Sequence, residues 1–503
     1  MRRRKLMGWG LVLLLLILPA LIAPSSTYDP TPLLASLAAS VHPASPGPLL
    51  GPGSLIVRSV RLPGSTRLCS LRIEQGRIVY VGDAPGTDLP QLDGGGHYVM
   101  PGLFDAHVHV SLAPGAALRG DDAATSAWLR AWHLRAYLAA GVTSILDPAV
   151  DERVSRDVSA RLSAGHVGPR YFTLGPPVTA RDGYVEDLFP PGFVDADADR
   201  ERLGRHLDRL VALGAVGVKV PLEPGVLAPI WNVHSPQLLA EIQQQAAPRK
   251  LPLYVHAMSE AMYERALPMA PHAFVHAPPS VSDATLRRLL DTHAYVMSTL
   301  SIYDVQRRLL SPEAFDDPLG LLTIPPIERQ TLHSPAMQRR YLIDMVGENL
   351  PFVRGRYRDL LGVLGTTGPG QAIMQWALRL RLDQTIHTVS RLHRAGVPIV
   401  LGSDSGNWPV FPFFFHGRTT WNEVALLEQA GLTPSQTLHA ATLGPAQMLG
   451  IEGEQGTVAV GQRADLLLVA ADPLQGVSLA LRSLQVVIFD GIAHKQQQWM
   501  QLP

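Results

Sequence analysis

The chain has 503 residues, 46% of them hydrophobic, and its 43 Lys and Arg balance 43 Asp and Glu. A chain of that length and composition buries a sizeable core, which excludes disordered and fibrous classes, and the absence of a basic excess removes the electrostatic footprint of general nucleic-acid binding. The lone Cys69 excludes an intramolecular disulfide framework and a cysteine-based zinc site, so any metal must be held by nitrogen and oxygen ligands, for which 18 histidines are available.

The chain opens on a basic run, MRRRK, followed by the uncharged apolar stretch Met7 to Ala23. That pattern predicts an export signal over residues 1–26, cleaved near Ala23 to Ser26 or retained as an N-terminal membrane anchor, and hence a periplasmic protein or one facing outside the cytoplasm. No cysteine follows the run, which excludes a lipid-modified cysteine anchor. Residues 27–53 are rich in Pro, Ser and Ala and predict a linker. Leu55 to Arg61, Leu68 to Ile73 and Arg77 to Val81 are short alternating β runs. Matching runs stand at the far end, at Gly456 to Val460, Asp465 to Ala470 and Gln485 to Asp490, so residues 54–99 and 450–498 are expected to form one composite β-sandwich.

Between them, residues 100–449 alternate apolar strands with helical stretches, the pattern of α/β units around a parallel sheet. Eight candidate strands end, in order, at His109, Asp147, Gly175, Val220, His256, His276, Leu300 and Asp404. They predict a (β/α)8 TIM-like barrel with functional groups at the C-terminal strand ends. The last two are separated by about a hundred residues, far more than a βα loop needs, which places an insertion at about 309–371.

The chemistry-bearing residues gather at those strand ends. His107 and His109 are two apart, so on one strand they project to one face, either as chelators of a cation or as a hydrogen-bonded core pair. His256 and His276 end successive strands in the contexts YVHA and FVHA. Imidazole ligands make zinc the first choice of metal. Lys219 lies inside the apolar run AVGVKV, where its ammonium either finds a carboxylate or loses its proton; a neutral amine can take up carbon dioxide and become an anionic carbamate able to bridge two cations. Asp404, in GSDSG, is either a metal-bound carboxylate that shuttles a proton or the cap of the next helix. After it, an aromatic stretch contains His416 and Arg418, candidate substrate contacts in an apolar pocket or parts of a hydrophobic lid.

Together MPGLFDAHVH, VKV, YVHA, FVHA and GSDSG resemble, in order, the amidohydrolase superfamily, and the likeness runs from about Leu55 to Asp490. Ala430 to Leu449 looks like that family's final barrel helices, and Gly453 to Leu474 like its return into the β-sandwich. A lysine on the fourth strand resembles the imidazolonepropionase-like and Xaa-Pro dipeptidase-like branch. The resemblance implies two divalent metal ions, with His107, His109 and Asp404 on one, His256 and His276 on the other, and N6-carboxylated Lys219 bridging them. The implied reaction is hydrolysis of an amide-type C–N bond in a small molecule such as a dipeptide, N-acyl amino acid or cyclic amide, by attack of a hydroxide shared between the metals, with Asp404 moving the proton. A mononuclear deaminase, a lactonase or esterase of the same fold, and an exported metal-binding scaffold are the alternatives. The arginines of the insertion, Arg354 and Arg356 among them, carry no readable motif.

Overall fold

A computed structural model describes residues 53–86, 88–184, 194–195, 200–225, 229, 231–308, 312–338, 340, 368–406 and 413–501. The expected signal peptide or anchor, nearly all of the linker, and Arg354 and Arg356 lie outside the described residues. Among the described residues, no helix is long and apolar enough to cross a membrane.

All eight predicted strands are present: β1 (Leu103–Asp105), β2 (Val142–Asp147), β3 (Arg170–Thr173), β4 (Val218–Pro221), β5 (Leu253–His256), β6 (Ala273–Val275), β7 (Tyr295–Met297) and β8 (Ile399–Val400). They form two parallel sheets, β1-β2-β3 and β4-β5-β6-β7-β8. Strands buried on both faces read as short, nearly continuous apolar runs, as VKVP and LYVH do here. Helices cross between them, and several begin at a side-chain cap: Asp151 accepts from Arg153 N and Val154 N, Ser235 from Leu238 N, and Ser282 from Thr285 N.

Backbone bonds run between the two sheets on both sides. Val216 N donates to Thr173 O at 2.9 Å, while Ala106 N donates to Leu401 O at 2.9 Å and Asp404 N to His107 O at 2.8 Å. Phe104, Leu146, Leu174, Tyr254, Val275, Met297 and Val400 share one buried cluster, so residues on or just after β1, β2, β3, β5, β6, β7 and β8 pack against each other on one face of the sheets. Alternate residues such as Val218, Val220, Leu253, Val255, Phe274 and Val296 join the helices in a second, larger cluster on the other face.

The two β-rich ends build one eight-stranded mixed sheet. Its order is Ile492–Lys495, Leu484–Phe489, Leu466–Val469, Tyr98–Pro101, Leu55–Arg61, Leu68–Glu74, Arg77–Gly82, with Gln91–Asp93 beside Leu55–Arg61. Gly456 to Val460 is not a strand, contrary to the sequence reading. Gly456 and Gly461 both take positive φ, 106° and 93°, and bend the segment out of extended geometry. Ile492–Lys495, which the sequence reading did not single out, supplies the last strand instead. Arg170, at the start of β3, ties this sheet to the parallel ones through Asp465 (2.6 Å) and Asp490 (2.9 Å).

The described part of the insertion is helical, with Pro318–Thr323 and Pro326–His333 laid against Ala123–Ala139. Trp132 Nε1 donates to Thr323 O at 2.7 Å, and His133 meets Glu328 at 2.8 Å.

Candidate metal centre

The face of the strands that carries the inner cluster also carries the polar residues. Val218 and Val220 point to the helices, so Lys219 between them points inward. His256 follows Tyr254 by two and shares its side. His276 breaks the rule: it follows inward Val275 and would face out, but its backbone is left-handed, with φ 77°. His107 and His109 likewise share a side with each other but not with Phe104 and Ala106, because the alternation slips after Ala106. Asp404 also adopts a positive φ of 59°. Gly402 lets β1 approach β8, since a Cβ there would lie 2.7 Å from His107 Cβ.

All six predicted ligands are buried: His107, His109, Lys219, His256, His276 and Asp404. Asp404 Oδ1 lies 3.1 Å from both His107 Nε2 and His109 Nε2, and those two nitrogens are 3.2 Å apart. On the other side His276 Nε2 lies 2.9 Å from His256 Nδ1. His107, His276 and Asp404 link the halves, their ligand atoms all within 4.8 Å of one another.

The outward-facing nitrogens explain why the inward ones are arranged this way. His109 Nδ1 faces Ala149 O at 3.3 Å and Asp147 Oδ1 at 3.7 Å, His276 Nδ1 faces Thr299 Oγ1 at 2.9 Å, and His256 Nε2 has Glu223 Oε2 at 3.8 Å. An imidazole that donates outward from one nitrogen offers a lone pair from the other. Inward nitrogens in that state face one another at 2.9–3.2 Å, and lone pairs so close repel unless a proton or a cation stands between them. The donor set, nitrogen and carboxylate oxygen at the ends of four strands with a buried amine beside them, fits divalent metal.

Electrostatics without an ion show the same strain. Burial, together with Lys219 and His109, pushes His107 down to about 3 despite the opposing Asp404 carboxylate. Burial also disfavours the His109 cation, yet hydrogen bonds to Asp147 and Asp404 outweigh it and raise that group to about 9. One proton thus settles on His109. Burial raises the Asp404 carboxyl, but His107 and His109 more than reverse this and hold it well below the usual range. Lys219 is lowered to about 7 by burial, with Asp404 and Asp147 opposing, so its amine is substantially neutral near neutrality.

The two candidate substrate contacts are buried and engaged within the protein. His416 Nε2 lies 3.2 Å from His109 O, and its ring stacks on His133 with centroids 3.8 Å apart. Arg418 pairs with Asp317 at 2.6 Å and donates to Asn422 Oδ1 at 2.7 Å. Residues the sequence reading passed over complete the surroundings. Asp147, quoted as a strand end but given no role, accepts from Val110 N and Ala149 N and faces His109. Asp105, inside the first motif, accepts from Ser403 N (2.9 Å), His107 N (3.3 Å) and Thr420 Oγ1 (2.6 Å). Glu223 stands four residues after Lys219, and Tyr184 packs its ring 4.9 Å from His256 and 5.0 Å from Trp231. A carboxylate ending a strand, as Asp404 does, was the available signal for Asp147; nothing local marked Tyr184.

A parallel α/β body carries histidines and a carboxylate at its strand ends, and comparison with known proteins finds similarity to amidohydrolases. Residues 372–494 match the amidohydrolase family. An allantoinase of Streptomyces avermitilis is 26% identical over 224 residues, 39% of this chain and 44% of that protein. The chain therefore spans less than half the length of that curated relative. Among solved structures, an amidohydrolase superposes with TM-score 0.63 at 22% identity, covering 88% of this chain and 99% of the other. A Xaa-Pro dipeptidase with bound methionine in its active site superposes with TM-score 0.63 at 19% identity, covering 88% and 100%. The resemblance read from the motifs, to amidohydrolases including Xaa-Pro dipeptidase-like members, is the one these matches show.

Proposed function

We propose that this protein is an exported, binuclear metal-dependent amidohydrolase that cleaves an amide-type C–N bond in a small molecule: a dipeptide, an N-acyl amino acid or a cyclic amide. The observation that carries the reading is the chain of close contacts from His109 and His107 through Asp404 to His276 and His256 at the ends of parallel strands. The two parallel sheets are read as one closed (β/α)8 barrel, supported by the backbone bonds on both sides and the shared inner cluster. The composite sheet is read as the flanking β-sandwich.

His107, His109 and Asp404 would hold one ion, His256 and His276 the other, with zinc the first choice. Bound there, divalent ions supply Lewis acidity toward water and toward a substrate carbonyl. Lys219 Nζ, with a substantial neutral fraction near neutrality, would react with carbon dioxide, forming a C–N bond with loss of one proton, and the carbamate would supply anionic oxygen ligands to both ions. Asp404, kept ionised by its imidazole neighbours, would accept a proton at a carboxylate oxygen and return it to the departing nitrogen. Asp147 and Glu223 would orient His109 and His256. Arg418 reaches a substrate only by exchanging Asp317 for it, and His416 acts first on the His109 carbonyl.

Zinc-loaded protein is expected to hydrolyse members of a screen of dipeptides, N-acyl amino acids and lactams, with two metals per chain. The three-ligand group His107, His276 and Asp404 also suits a single ion, the arrangement of a mononuclear deaminase. One metal per chain with an unmodified Lys219 in the mass spectrum would favour that second reading. Asp404→Asn should lose roughly a hundredfold or more in turnover. Normal rates in that variant would assign the proton transfer to another group.

A further inference from the structure

We infer that Thr299 and Glu423 are positioning residues for the metal centre, Thr299 fixing the ring of His276 and Glu423 fixing Thr299. The inference rests on the metal-centre reading above and names side chains that would tune it without touching the ion. Its starting point is a backbone anomaly. Thr299 follows β7 with φ 41°, a conformation that a β-branched residue adopts rarely and only when its surroundings impose it. The imposing group is Glu423.

Glu423 lies in the helix Arg418–Gln429 and is fully buried. Among the described residues its carboxylate meets no cation. It accepts from Leu300 N at 2.9 Å and Ser298 Oγ at 2.5 Å through one oxygen, and from Ser301 N at 2.7 Å through the other. These three donors bracket Thr299 on both sides, so the peptide units around it cannot relax to negative φ without breaking bonds to a buried carboxylate. The bend turns Thr299 Oγ1 onto His276 Nδ1 at 2.9 Å.

The consequence is a fixed tautomer. In the arrangement we infer, Nδ1–H donates to Thr299 Oγ1 and His276 presents the lone pair of Nε2 inward, beside His256 Nδ1. His276 itself has left-handed backbone geometry, so neither its rotamer nor its ring flip is set by a regular strand, and the hydroxyl supplies what the strand does not. The same helix reaches the opposite half of the site: Thr420, three residues before Glu423, donates to Asp105, which in turn binds the backbone of His107 and Ser403. One helix thus holds the β7 end, whose Thr299 reaches His276, and the pair of strand ends carrying His107 and Asp404.

The test uses the full chain loaded with zinc alone and titrated with a competing chelator. Thr299→Val removes the hydroxyl at nearly constant shape, Thr299→Ser retains it, and Glu423→Gln replaces one acceptor oxygen with an amide. The expected result is a roughly ten- to hundredfold loss of affinity for one zinc per chain in Thr299→Val, recovery toward wild type in Thr299→Ser, and a loss of the same kind in Glu423→Gln, with the far-ultraviolet circular dichroism of Thr299→Val unchanged. A folded Thr299→Val that holds both ions as tightly as wild type would overturn the inference while leaving the metal centre intact. Equal loss in the Ser and Val variants would overturn it as well, because the hydroxyl would then be irrelevant. Wild-type protein that takes up no zinc at all would sink the metal reading and this inference with it.

Discussion

Lys219 is the residue on which two chemistries diverge. It is 3% exposed, interacts electrostatically with His107, His256 and His276, and is lowered to about 7 chiefly by burial. Lys219→Ala is expected to lose one metal per chain and most activity, both partly restored by short carboxylic acids that stand in for a carbamate; full metal content in the variant would count against the bridging role. Away from the metals, Glu328 offers a cleaner titration. Burial raises its carboxyl from 4.5 to about 7 against the opposing pull of Arg119 and His416. A folded pKa above the unfolded one means that the folded state binds the extra proton, so the stability it contributes is full below about pH 4.5 and is lost as pH rises through about 7. Glu328→Gln cannot ionise. It should match wild type near pH 4.5 and exceed it above pH 7 by something on the order of 3 kcal/mol, read from urea midpoints across that range. A difference that stays constant with pH would refute the assignment. At this scale the sequence was most informative where side-chain parity holds: Lys219 and His256 face inward as an alternating strand dictates. It was silent on His276, whose inward turn depends on a positive φ that no local residue type announces.

The elements show why short strands suffice. β6 and β7 are three residues each and β8 only two, yet each is buried on both faces and continues into a bend that carries a functional group. The bends rely on close approach, as at Gly402, where a methyl group would meet His107 Cβ at 2.7 Å. Gly402→Ala should therefore cost about 2 kcal/mol and displace His107, lowering zinc retention along with the melting temperature. A variant that melts earlier but binds zinc normally would show that β1 shifts as a whole and the site moves with it. The eight strands were legible because apolar runs punctuated by Gly and Pro mark them, although β1 and β8 each end four residues before the expected His109 and Asp404. The terminal run GTVAV misled because its composition is β-like while the glycines around it impose turns, and the tertiary neighbours of Asp105, Thr299 and Glu423 come from segments far away in sequence.

On the scale of the whole molecule, Arg170 joins the composite sheet to the parallel sheets. Its guanidinium pairs with Asp465 and Asp490 and lies over the Phe489 ring at 5.1 Å. Arg170→Ala leaves the nearly buried Asp465 without its cation and should cost about 3 kcal/mol, with Asp465→Asn in the same chain recovering part of the loss. Strict additivity of the two changes in denaturant melts would mean that the pair does not couple the sheets.

The composite sheet also imposes an order on synthesis. Tyr98–Pro101 sits between Leu55–Arg61 and Leu466–Val469, and the second of these neighbours leaves the ribosome about 365 residues after the strand it must pair with. At ~5–20 residues per second, one edge of Tyr98–Pro101 stays open for roughly 20–70 s, an invitation to pair with another nascent chain. Leu466–Val469 then closes that edge and joins the two β-rich segments across the whole of the intervening α/β body.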